Sequence, residues 1–261
     1  MNFVDSKPIQ TTREHIILRS NSGIGLVSFE GDTIIDFSAS SIIPTNGLGT
    51  YFIKDQNGWR LLRENQSAKT LEVDEIYSSS QSLHKFASKG YYGFISTSGE
   101  MSIAASYSFV SDFTNGKAFV CKQDQCFIID QQGQPLHKLD VNTSFHSPGY
   151  VLTSSNSGLS LKDFDLNIVV GGDYDLIYRP SSGLVGLMKD DLCGFYGIDS
   201  ACYTGLKYPL VWEANNGYGR FIKMRQGIGF VDQNCNEILK ARYYEVKDFH
   251  EGLARYQKLP F

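Results

Sequence analysis

Short apolar stretches of about five residues alternate with polar turns from one end of the chain to the other. No stretch of about 12 residues or more carries a helical period, so the pattern predicts strands joined by tight turns. The alternation itself repeats. Stepping back from Gly229 by 33 to 35 residues lands on Gly194, Ser160, Phe127, Gly93, Arg60 and Gly25, each at the start of an apolar strand. Three residues further on, Asp130, Asp163, Asp232, Ser28 and Ser96 share one place, where a side-chain oxygen can nucleate a turn. Gly31, Gly99 and Gly133 follow where a hairpin often needs positive φ. Tyr107, Tyr174, Tyr208 and Tyr243 keep the same phase, with Val110, Ile177, Val211 and Val246 three residues later. A third set, Gly49, Gly116, Gly149, Gly183, Gly219 and Gly252, with Ser82 in one gap, precedes another alternating strand.

Three markers on one period define seven units of about 34 residues, each with three or four strands. One such meander cannot cover both of its faces, so neighbouring units must pack on one another. The chain is therefore expected to be all-β, a single repeat domain over 1–261 with its repeats at about 13–257, forming a β-propeller-like domain. The alternative is an elongated β-solenoid.

Composition narrows the function. Hydrophobic residues are 41% of the chain, enough for a real core. A net charge of −4 without a basic run argues against nucleic acid as partner. No apolar run of about 18 residues exists, so no membrane-spanning helix is expected. Five cysteines (Cys121, Cys126, Cys193, Cys202, Cys235) form an odd set, and the first twenty residues lack a secretory pattern. Free thiols in a reducing cytoplasm are the expectation.

Chemistry-bearing motifs fail one by one. Cys121 and Cys126 are spaced too widely for a zinc pair and lack a second pair nearby. In the run from Asp163 to Tyr174, Ile168 and Tyr174 stand where a calcium loop needs Gly and Glu. Gly171–Asp175 is read as a turn, since no helix follows to make a phosphate cradle. The histidines (His15, His84, His137, His146, His250) are scattered, with no catalytic spacing. No catalytic residue, metal ligand or cofactor site is expected.

Residues 89–120 and 225–256 together resemble the bacterial WG-repeat family. Gly93-Phe94-Ile95 and Gly229-Phe230-Val231-Asp232 match its core. Tyr107, Val110 and Phe113, with Tyr243, Val246 and Phe249, match the middle run, and Gly252-Leu253-Ala254 the last part. The match is degenerate: the signature Trp occurs once, as Trp59, followed by Arg60 in place of Gly. The resemblance implies a structural repeat without catalytic residues. It also implies an association with immunity proteins that bind and block a bacterial toxin.

Copies that depart from the repeat are where binding would lie. Three stand out: 38–49, with exposed-looking Ile42 and Ile43; 142–149, with Phe145 and His146; and 189–205, with Asp190, Asp191, Phe195 and Tyr203. Aromatic anchors ringed by polar groups suit a protein interface. The expectation is a non-enzymatic protein-binding chain, monomeric when free, that neutralises a toxin with acidic loops against a basic surface. The alternative is a carbohydrate- or small-ligand-binding repeat protein.

Overall fold

The computed structural model describes residues 7–12, 14–63, 66–79, 82–249 and 253–258, and His250 and Gly252 lie outside them. Every regular element among the described residues is a strand. The chain falls into two compact units, Met1–Leu139 and Asp140–Phe261.

The first unit holds four antiparallel sheets, each contiguous in sequence. The first contains β1 (Lys7–Thr11), β2 (His15–Ser20), β3 (Gly23–Ser28) and β4 (Thr33–Ala39). The second contains β5 (Ser41–Pro44), β6 (Thr50–Asp55), β7 (Gly58–Arg63) and β8 (Lys69–Leu71). The third contains β9 (Glu75–Ile76), β10 (Leu83–Ser88), β11 (Tyr91–Ser96) and β12 (Met101–Tyr107). The fourth contains β13 (Phe109–Val110), β14 (Lys117–Lys122), β15 (Gln125–Asp130) and β16 (Pro135–Lys138).

Three more sheets make the second unit. The fifth contains β17 (Thr143–Ser147), β18 (Tyr150–Ser155), β19 (Gly158–Asp163) and β20 (Ile168–Tyr174). The sixth has β21 (Leu176–Ile177), β22 (Leu184–Lys189) and β23 (Leu192–Gly197), with isolated bridges from Tyr203 and Tyr208 in place of a fourth strand. The seventh has β24 (Leu210–Val211), β25 (Gly219–Lys223), β26 (Gly227–Val231), β27 (Glu237–Val246) and β28 (Tyr256–Lys258).

Within each unit, cores lie between consecutive sheets. Ile24 and Leu26 of the first sheet pack with Ile42 and Ile53 of the second. Ile43, Phe52 and Trp59 of the second pack with Phe86 and Ile95 of the third. Phe94 of the third meets Phe113, beyond β13, at 4.6 Å between ring centroids. In the second unit Phe195 of the sixth sheet packs with Tyr208 and Phe221. Each buried aromatic is worth about 1.5–3 kcal/mol, so these layers are the main stabilising term.

The hairpin marker works as its residue types predict. Asp130, Asp163 and Asp232 each accept backbone N–H bonds at Oδ1 from the residues two and four further on. The hydroxyls of Ser28 and Ser96 do the same. The third residue after each takes positive φ, as Gly31, Gly99 or Gly133 and, without glycine, as Leu166 and Cys235.

The period's reference glycine has a different reason. Opposite it the fourth strand carries two extra residues: Ile228 pairs with Tyr243, but Phe230 with Leu239. A Cβ on Gly229 would stand 2.5 Å from the Leu239 carbonyl oxygen, and one on Gly93 2.5 Å from that of Ile103. Arg60 is tolerated because β7 and β8 pair in unbroken register. Ser160 is accommodated opposite a bulge of the same kind because Gly172 leaves room for its hydroxyl. Gly171 and Gly172 therefore belong to β20, correcting the turn read at Gly171–Asp175. Gly219 is two residues out of phase. Gly217, at φ 78°, is the true counterpart of Gly183, while Gly219 lies in β25 against the Phe195 ring.

The expected set of free thiols is wrong for four of the five cysteines. Cys121 and Cys126 face each other across β14 and β15 and form a disulfide. Cys202 bonds Cys235, joining the edge of the sixth sheet to the β26–β27 turn. The sequence hid both pairs because only strand register, or the packing of neighbouring sheets, brings the sulfurs together. Cys193 alone is free, and it is a buried core residue.

Two consequences are measurable by denaturant unfolding. Gly229→Val should lose about 2–3 kcal/mol, since neither the Leu239 carbonyl nor the Phe221 ring can yield without strain. Opening the Cys202–Cys235 bond by Cys202→Ser should cost about 3–4 kcal/mol, against about 2 kcal/mol for Cys121→Ser, because the first bond closes the longer loop.

Candidate functional site

Of the eight residues expected to meet a partner, three are buried and two are half-buried. Ile42 and Ile43 are each 8% exposed. They are neighbours on a strand covered on both faces, Ile42 toward the first sheet and Ile43 toward the third. Phe195 is fully buried. Phe145 and His146 belong to β17 and are half-buried, and His146 Nε2 lies 3.0 Å from the Tyr178 carbonyl oxygen. His146 occupies the bulge between the Phe145–Val151 and Ser147–Tyr150 pairs, a position that Phe113 fills in the fourth sheet.

The other three, Asp190, Asp191 and Tyr203, are exposed and lie on the second unit. Asp190 and Asp191 form the tip of the β22–β23 hairpin, both at positive φ (49° and 61°). A two-residue turn of this kind favours glycine at its second place, and the equivalent hairpin of the third sheet has Lys89-Gly90 there. Holding Asp191 in this conformation costs on the order of 1 kcal/mol that glycine would not.

Register brings further acids beside the tip. Leu176 pairs with Met188, which places Asp175 next to Lys189. The Asp190 N–H donates to Asp175 Oδ2 at 2.8 Å. Lys189 pairs with Asp173, and this bond, reinforced by Asp190 and Asp175, raises the lysine pKa. Three carboxylates thus share one ammonium. Tyr174, between Asp173 and Asp175, hydrogen-bonds Tyr203, whose own pKa is pushed up to about 12, first by burial and then by Tyr174. The edge is acidic, with a half-exposed tyrosine beside it.

Asp173, Tyr174, Asp175 and Lys189 were not foreseen as members of this edge. Repeat phase could have found Asp175: it sits two residues before Ile177 as Asp74 does before Ile76, and Asp74 accepts the Lys89 N–H in the same way. Asp175 is therefore partly structural, whereas Asp191 has no counterpart in the third sheet.

No group of metal-ligating side chains is found among the described residues. Two histidines carry pH sensitivity instead. Burial lowers the pKa of His84 and of His146, against the opposing pull of the Tyr77 and Tyr178 carbonyls. A histidine lowered on folding is protonated first in the unfolded chain, so stability is full above about pH 6.5 and falls as pH drops toward the folded value. Each unit of lowering is worth about 1.4 kcal/mol. Urea midpoints should therefore fall between about pH 7.5 and pH 5, and His84→Leu should reduce that drop.

Among solved structures, the chain is similar to that of a eukaryotic initiation factor, with a TM-score of 0.55 at 11% identity over 91% of this chain and 76% of that one. It also aligns with Kluyveromyces lactis Hsv2p, with a TM-score of 0.41 at 10% identity over 88% and 92% of the two chains. No curated protein matches the sequence. The first likeness, with seven small antiparallel sheets, gives a fold of the β-propeller class, as the repeats predict. Within that fold, residues 92–126 and 228–258 match the family described as WG containing repeat.

Proposed function

We propose that the chain is a non-enzymatic protein-binding module and, most concretely, an immunity protein that binds and blocks a cognate bacterial toxin. The observation that carries the reading is the hairpin tip at Asp190 and Asp191. Two carboxylates are held at positive φ where the third sheet uses glycine at the second place. Exposed charge held at positive φ supports a binding surface here. The neighbouring Asp173, Asp175 and Tyr203 give that surface an acidic field and an aromatic contact, which suits a basic partner. The WG containing repeat supports a scaffold role. The free chain is a monomer in this reading. The four paired cysteines support an encounter in an oxidising compartment, in place of the cytoplasm expected from free thiols.

The test uses the product of the gene neighbouring that of this chain, assayed for toxin activity. The double variant Asp190→Lys, Asp191→Lys should slow association at least about 10-fold at low salt and flatten its salt dependence, measured by surface plasmon resonance. Equal association by the two proteins, or a toxin left fully active by excess wild-type chain, would reject the reading.

A further inference from the structure

The repeat also shows where the first unit lacks something. In the fourth, sixth and seventh sheets three residues separate the buried aliphatic (Val110, Ile177, Val211) from the residue bonded back across the turn (Thr114, Ser181, Asn215). The third of them is Phe113, Pro180 or Ala214, and Phe113 and Ala214 are buried as plugs at the ends of the intersheet cores. In the second sheet only Ile43 and Pro44 separate Ile42 from Thr45, whose N–H donates to the Thr50 carbonyl. The plug position is deleted there, and the turn is lengthened to residues 46–49. In the third sheet the Tyr77 N–H donates to Lys85 as the Ser111 N–H does to Phe119, so Ser79 stands where Phe113 stands. Two successive plugs are missing.

A cavity of about 480 Å³ opens at that place, lined by the 46–49 turn, Ser79, and Gln10, Thr12 and Glu14 at the β1–β2 turn. Its size falls among small-molecule sites, about 300–1,000 Å³. Its floor is rigid. Tyr51, 3% exposed, has its hydroxyl 2.8 Å from His15 Nδ1 and 3.1 Å from Thr12 Oγ1. The Thr45 and Thr50 hydroxyls bond the Thr50 and Leu48 carbonyls and so hold the turn in shape. The lining is hydroxyl, amide and one carboxylate, with no lysine or arginine among the described residues. Pro44 and the exposed Leu48 add an apolar lip.

We propose that this cavity is a binding site for a neutral saccharide of one or two rings. A sugar offers many hydroxyls of mixed donor and acceptor character, which amides and a carboxylate bond in pairs, and a C–H face that suits Leu48 and Pro44. A phosphate or carboxylate ligand would meet Glu14. The site lies in the first unit and is independent of the acidic edge.

The test is a panel of glucose, galactose, N-acetylglucosamine, maltose and cellobiose, with glucose 6-phosphate and glucuronate as charged counterparts. Binding is read by saturation-transfer NMR and calorimetry. At least one neutral sugar should bind at about 1 mM or tighter, and its charged counterpart at least about 10-fold more weakly. Ser79→Phe restores the side chain that Phe113 supplies and should abolish binding. Should that variant not fold, Glu14→Gln and Asn46→Ala should each weaken binding about 10-fold at unchanged melting temperature. An empty panel, a charged sugar bound as well as the neutral one, or full binding by the folded variants overturns the proposal.

Discussion

The second sheet of this protein is apolar on both faces and cannot bury both alone. That constraint organises the rest. Ile42 and Ile43 are successive residues on one short strand, yet both are buried, one toward each neighbouring sheet. A strand covered on a single face would have exposed one of them. The same demand places Phe52, Phe86, Phe195 and Phe221 between sheets and leaves outer strands such as β16 largely open to solvent. The exposed polar chemistry of the candidate sites lies at turns, at a sheet edge and where a core plug is absent.

The turns carry the second level of organisation. An Asp or Ser oxygen closes each β-hairpin of one type through two backbone donors, which fixes its length and hence the register of the strands it joins. Register then decides which side chains meet. It sets Cys121 opposite Cys126 and Asp175 beside Lys189, and it puts the extra residues of β27 against Gly229. The solutions to that last crowding differ between copies. Several sheets use a glycine, one pairs without a bulge, and one places a glycine on the partner strand as Gly172. A degenerate repeat can therefore keep its geometry while losing its consensus letters.

The candidate sites follow from departures of two kinds. At Asp190 and Asp191 the backbone keeps the shape of its repeat while the residue type changes. At Ile42–Thr50 the backbone itself is shortened and then lengthened, which removes a plug. Ile42 lies 17 residues after Gly25, as Val110 does after Gly93, so its burial was readable from the period. It was obscured because Ala39 takes the tyrosine place and removes the nearer marker. His146 was harder to read, since a histidine at a phenylalanine position looks like an exposed departure when only sequence is considered.

The sequence by itself determined the strands, the turn acids, the period of about 34 residues and the all-β class, because these depend on contacts between residues close along the chain. Tertiary structure decided which apolar residues are buried, which cysteines are bonded, and which acids share an edge. Those outcomes depend on pairing across strands and packing between sheets, where one residue of shift or one deleted plug changes every contact.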